Sequence, residues 1–174
     1  MPAFTLDEVR EATGAQLYKM EHEEFTDIVT DTRKITPGML FLAFKGERFN
    51  GEDFVRDAVE KGASGVMVST GCPKEQLAGL KTTVLIVPDT LAAYQQLAHA
   101  WRMRFSLPVV AITGSNGKTT TKDLTAAVLS ARGPVLKTQA NYNNEIGLPL
   151  TLLGLRKEHT AAVVEIGMRG LHQI

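Results

Sequence analysis

The sequence predicts an α/β protein: a small N-terminal α/β domain, then the first part of a P-loop parallel-sheet domain. Three observations lead there. Short apolar runs rich in β-branched residues, among them Gly65–Ser69, Val109–Thr113 and Ala161–Ile166, alternate with segments of helical spacing. These runs are apolar throughout, as strands covered on both faces of a parallel sheet are. The run at 109–113 also leads straight into a glycine-rich turn, Gly114-Ser115-Asn116-Gly117-Lys118-Thr119, that opens a helix.

Along the chain, Thr5-Leu6-Asp7-Glu8 has the spacing of a capping box and Gly14 supplies a stop, so a short helix opens the protein. Phe25–Thr30 and Met39–Phe44 read as strands, with Pro37-Gly38 turning between them. From Gly51 to Lys61, Phe54, Val55, Ala58 and Val59 share one helical face, and Gly62 terminates it. Strands follow at Gly65–Ser69 and Val84–Val87. Asp89 or Thr90 caps a helix running to about Phe105, with Leu91, Tyr94, Leu97, Ala98 and Trp101 inward. Strand 109–113, a helix from Gly117 to about Ala131, strand 135–138, a helical stretch over 146–153 and strand 161–166 complete the order. A domain boundary is expected near residue 88, giving domains 1–88 and 89–174.

The 174 residues suffice for one full domain or two small ones, and 44% hydrophobic content can bury a real core. Lys plus Arg equal Asp plus Glu at 19 each, so no global field draws nucleic acid or anionic lipid, and anion recognition must be local. The single cysteine, Cys72, fits a reducing cytoplasm. No signal-peptide pattern opens the chain, and no apolar stretch nears the roughly 20 residues that span a bilayer. A cytoplasmic protein is expected, with neither nucleic acid nor membrane as partner. His22, His99, His159 and His172 show no metal-ligand spacing.

The glycine-rich turn carries the clearest chemistry. Gly114 and Gly117 allow a tight turn, and with Ser115, Asn116 and the unpaired amides of the following helix they form an anion-binding nest. Lys118 adds a flexible positive charge for the β- and γ-phosphates, and the Thr119 hydroxyl suits Mg²⁺. The common phosphate loop has glycine where this chain has Ile112, so this is a shorter variant with its glycine at Gly114. Binding of a nucleoside triphosphate follows.

Other segments stay open on the residues alone. Glu165 ends an apolar strand, where a parallel sheet gathers its ligands, and is either a magnesium ligand or an ordinary acidic residue emerging into solvent. The polar run Asn141–Pro149 suits a polar ligand or simply caps a helix. Asp31-Thr32-Arg33-Lys34 and Lys45-Gly46-Glu47-Arg48-Phe49-Asn50-Gly51 follow successive strands and either frame a pocket, with Arg33 forking onto phosphate, or are solvated loops.

Three segments together, 111–121, 141–149 and Val163-Val164-Glu165-Ile166-Gly167-Met168, resemble the Mur ligases. Asp31-Thr32-Arg33 through Gly38-Met39-Leu40-Phe41, together with Gly51-Glu52-Asp53-Phe54, resembles that family's uridine-nucleotide-binding domain. The Asn-rich run before Ile146-Gly147-Leu148-Pro149 is similar to family members that extend a muramoyl tripeptide. The resemblance implies a reaction in which ATP phosphorylates the C-terminal carboxylate of UDP-N-acetylmuramoyl-tripeptide. The amine of D-alanyl-D-alanine then attacks the acyl phosphate and phosphate leaves. It implies that Gly114, Ser115, Asn116, Gly117, Lys118, Thr119 and Thr120 bind ATP, with Lys118 and Glu165 catalytic and Thr119 and Glu165 holding Mg²⁺. It places Asp31, Thr32 and Arg33 near the uridine nucleotide and Asn141, Asn143 and Asn144 near the muramoyl end. A monomer is implied. The family's central domain continues further, with a modified lysine and a histidine serving a second metal, so the chain is expected to be an N-terminal portion that does not ligate alone. Another Mur-type amino-acid ligase and a non-catalytic ATP-binding module are the competing expectations.

Overall fold

The structure, a computed structural model, describes residues 2–46 and 49–167. Glu47 and Arg48 of the second loop, Met168 of the strand-end motif and His172 lie outside the described residues. Two compact units are present, Met1–Leu97 and Ala98–Ile174. The boundary expected near residue 88 sits just ahead of the helix Thr90–Met103, whereas the division by compactness falls inside that helix.

In the first unit, β1 (Phe4–Thr5) leads into α1 (Leu6–Thr13) through a complete capping box. Thr5 Oγ1 accepts from the Glu8 amide at 3.2 Å and the Glu8 carboxylate accepts from the Thr5 amide at 2.8 Å. Gly14 closes the helix at φ 65°, a left-handed conformation that favours glycine. The main sheet is built from β2 (Gln16–Lys19), β4 (Ile28–Val29), β5 (Leu40–Leu42), β6 (Gly65–Ser69) and β7 (Thr83–Val87), in the order β2-β7-β6-β5-β4. The last four are parallel, and β2 lies antiparallel on β7.

Phe25–Thr30 does not form the single strand expected. Glu24–Phe25 (β3) pairs antiparallel with β1, and Ile28–Val29 joins the main sheet. At the break the Asp27 carboxylate accepts from the next amide, Ile28, at 2.8 Å, a local bond that competes with ladder pairing. The edge strand β2 had no signature in the sequence, because three of its four residues are exposed and its pairing comes from the apolar β7. The short helix α3 (Lys74–Leu77) was also unforeseen. The helix expected over 51–61 begins as a 3₁₀ turn, Gly51–Phe54, before α2 (Val55–Glu60); Val55 and Ala58 are buried, but Phe54 is 44% exposed.

Helix α4 (Thr90–Met103) starts where the Asp89 carboxylate accepts from the Leu91 and Ala92 amides. In the second unit, β8 (Val109–Ile112), α5 (Lys118–Leu129), β9 (Val135–Lys137), α6 (Gly147–Leu153) and β10 (Ala161–Glu165) follow in order. The sheet is parallel with β10 central, in the order β8-β10-β9, and Glu165 registers with Ile112. Ile112, Ala126 and Val163 form its core against Val110, Leu129 and Val135. Among the described residues, no helix is long and apolar enough to cross a membrane.

Gly65, at the start of central strand β6, touches the Phe25 ring and Leu40: an added Cβ would lie 2.4 Å from Phe25 Cε1 and 2.8 Å from Leu40 Cδ1. Gly65→Ala therefore overpacks the junction between the two sheets of this unit and is expected to cost about 1–3 kcal/mol. Urea denaturation measures it; an unchanged midpoint would show that the packing yields freely.

Candidate active site

The phosphate loop leaves β8 at Ile112 and enters α5 at Lys118. Gly114 has φ 142° and Gly117, the N-cap, φ 75°, and neither meets a neighbour that a Cβ would strike within hard contact. Their glycine requirement is thus conformational. The result aims the first amides of a 12-residue helix at the loop's concave side, where an anion is favoured. Lys118 folds back across the turn, its Nζ donating to the Gly114 carbonyl at 2.6 Å.

The parallel register carries Glu165 to this loop. The residue is 3% exposed, yet each carboxylate oxygen has a donor: Oε2 accepts from Thr119 Oγ1 at 2.9 Å and Oε1 from Asn143 Nδ2 at 2.8 Å. The Glu165 amide donates to Thr138 Oγ1 at 2.9 Å. A pocket of about 470 Å³ opens here, lined by 115–120, Ala140, Asn141, Asn143 and Glu165. Glu165 is therefore no solvent-facing strand end.

The other asparagines divide. Asn144 caps α6, its Oδ1 accepting from the Gly147 amide at 2.8 Å and the Ile146 amide at 3.3 Å, while Asn141 lines the pocket. Ala140 was missed by sequence reasoning. It lines the pocket at φ 45°, the one positive φ of a non-glycine residue among the described residues. Such strain costs on the order of 1–3 kcal/mol and collects at functional sites, but alanine carries no sequence mark of it.

Thr119 and Glu165 offer hard oxygen donors side by side, which fits Mg²⁺, an ion that commonly takes one or two protein oxygens and completes its shell with phosphates and water. Among the described residues there is no cluster of three or more His, Cys, Asp or Glu able to hold a metal without such help.

A second pocket, of about 460 Å³, belongs to the first unit and lies past the carboxyl ends of β4 and β5. Thr30, Asp31, Thr32 and Arg33 form one side, and Phe41, Phe49, Gly51, Phe54 and Asp57 the rest. Asp31 caps the 3₁₀ turn Thr32–Lys34 and clasps Arg33, with Nη2 to Oδ2 at 2.7 Å and Nε to Oδ1 at 2.9 Å. Phe49 and Phe54 meet edge to face at 6.5 Å, and 60% of Phe49 is exposed. Sequence reasoning placed Phe54 in a helical core face; the 3₁₀ turn rotates it to the pocket instead.

Fold and pocket define an α/β protein with a phosphate-loop turn between a parallel strand and a helix. Residues 24–102 match the catalytic-domain model of the Mur ligase family and residues 112–173 the Mur ligase middle domain. The chain belongs to the Mur ligase family. It is 51% identical over 154 residues to the UDP-N-acetylmuramoyl-tripeptide–D-alanyl-D-alanine ligase of Synechocystis, covering 88% of this chain and 33% of that protein. Against the Bacillus subtilis ligase of the same name, identity is 40%, covering 98% and 37%. The crystal structure of MurF from Acinetobacter baumannii superposes with a TM-score of 0.86 at 37% identity, covering 97% of this chain and 37% of that one. MurF ligase from Thermotoga maritima in complex with ADP gives 0.70 at 32% identity, covering 80% and 31%. The chain thus spans about a third of the length of these relatives.

The Arg33 clasp, chiefly its side-chain hydrogen bonds, lowers the Asp31 carboxyl from 3.8 to about 2. A depressed folded value means that the pair's stabilisation is present above 3.8 and is lost as the pH falls through about 2. An NMR titration should find Asp31 near the lower value, and Arg33→Ala should return it most of the way; an ordinary value in the unaltered chain would refute the clasp.

Proposed function

We propose that this chain supplies the ATP site and the uridine-nucleotide site of a cytoplasmic ligase that joins D-alanyl-D-alanine to UDP-N-acetylmuramoyl-tripeptide during peptidoglycan precursor synthesis. The observation that carries the reading is the convergence of Lys118, Thr119 and buried Glu165 on one pocket. The names of the relatives support the choice of substrates.

In this reading residues 89–174 belong to the ATP-binding domain and residues 1–88 to the uridine-nucleotide domain. Gly114 to Thr120 cradle the phosphates through backbone amides. Lys118 exchanges the Gly114 carbonyl for phosphate oxygens and offsets charge building on the transferred phosphoryl group. Thr119 and Glu165 hold Mg²⁺, which when bound polarises the phosphoryl oxygens. Arg33, steered by Asp31, faces the diphosphate of the UDP moiety, Thr32 lies beside it, and Phe49 and Phe54 give the base an apolar wall. Asn141, at the pocket edge, meets the muramoyl end.

Calorimetric titration tests both sites. Lys118→Ala should weaken ATP roughly tenfold to a hundredfold, the worth of a charge-assisted contact of about 1.5–3 kcal/mol. UDP-N-acetylmuramoyl-tripeptide should bind independently of that substitution. Equal ATP affinity in the variant would remove the loop's role. Tighter binding of the muramoyl dipeptide would point to another Mur-type ligase, and ATP binding without any affinity for the UDP-sugar to a nucleotide module.

A further inference from the structure

We propose that Asn143 is a positioning residue for Glu165: its side-chain amide fixes the carboxylate so that Oε2 is presented beside Thr119, where the nucleotide's magnesium is held. This rests on the nucleotide reading given above. A carboxylate at a strand end has two free torsions at its tip and can turn either oxygen outward. Here one oxygen is taken by Asn143 Nδ2 at 2.8 Å, leaving the other for Thr119.

Asn143 is itself immobilised. Its amide donates to the Asn141 carbonyl at 2.8 Å and its carbonyl accepts from the Gly167 amide at 2.7 Å. Gly167 packs so closely that a Cβ there would lie 3.0 Å from Asn143 Oδ1 and 3.2 Å from its carbonyl oxygen. The residue two beyond Glu165 therefore lies closely against the asparagine and has no room for a side chain there. On the other side, the buried Thr138 hydroxyl fixes the Glu165 main chain.

The side-chain chemistry favours orientation over neutralisation. An arginine or lysine in this place would cancel the carboxylate's charge, whereas an amide donates a hydrogen bond and leaves the full negative charge for a cation. Thr119 uses its one hydroxyl proton on Oε2 and keeps oxygen lone pairs for the metal. Removing outer partners of metal ligands typically weakens metal binding 10- to 100-fold.

The test is titration of the 174-residue chain with ADP across a series of Mg²⁺ concentrations. Asn143→Ala removes the amide, and Asn143→Leu keeps its approximate volume without a donor; thermal melting without ligand checks that each folds. The Mg²⁺ concentration giving half of the gain in ADP affinity should rise about 10- to 100-fold in both. Affinity without Mg²⁺ should change much less. In the unaltered chain, which needs no variant to fold, the Asn143 side-chain amide resonance should move when Mg²⁺ is added to the ADP complex and barely respond to ADP alone. Unchanged magnesium dependence in the folded variants, a resonance indifferent to Mg²⁺, or an equal loss of ADP affinity with and without Mg²⁺ would each overturn the proposal while leaving the nucleotide site intact. A chain that binds no ADP at all would overturn the nucleotide reading, and this inference with it.

Discussion

A buried glutamate, Glu165, constrains the whole of the second unit. A buried polar group is tolerated only where hydrogen bonds replace its hydration, so the Glu165 side chain requires donors placed around it. The two donors come from different segments, Thr119 from the start of α5 and Asn143 from the loop before α6, while Thr138, just past β9, accepts from the Glu165 main-chain amide. None is near Glu165 in sequence. They meet because β10 lies between β8 and β9 in a register that sets Glu165 opposite Ile112. A slip of one residue would turn the carboxylate to the other face of the sheet and break all three relations at once.

The phosphate loop depends on the same arrangement. Its glycines provide the turn, but the turn is anchored at one end by β8, paired with β10, and at the other by α5, whose Ala126 packs against Val163 in the core. The loop is therefore anchored at both ends by the sheet and its helix, and within the turn Lys118 reaches back to the Gly114 carbonyl. A formal net charge of zero leaves any recognition of an anion to such local features. The local positive field comes from backbone dipoles and one lysine, concentrated at a helix terminus.

Much of this was legible because its causes are local. The capping box of α1 and its terminal Gly14 lie within one ten-residue stretch, 5–14, and strand β6 appears with the bounds that its apolar run suggested. The phosphate loop is written in six consecutive residues. What the sequence did not disclose depends on partners far along the chain. Edge strand β2 exists because β7 offers it an antiparallel partner, and the division of β3 from β4 follows from the pairing of Phe25 with Phe4. Asparagines 141, 143 and 144 look alike in sequence. Only the return of β10 distinguishes the one that reaches Glu165 from the one that caps α6 and the one that lines the pocket.

The first unit repeats the principle on a different scale. Its pocket, like that of the second unit, opens past the carboxyl ends of parallel strands, where the sheet ends and the connecting loops diverge. At its mouth the Asp31–Arg33 pair is exposed, with 85% of the Arg33 side chain accessible, so its worth to stability is small. Its effect is geometric. Asp31 is fixed by capping its own 3₁₀ turn, and it engages the Nε and one terminal nitrogen of a guanidinium that carries five N–H donors. The remaining donors are thereby held in a plane beside the pocket instead of sweeping through solvent. An acidic residue at a strand end thus serves each unit differently. Glu165, buried, takes neutral donors from two distant segments. Asp31, half-buried and paired with a residue two along the chain, fixes a cationic side chain beside its pocket.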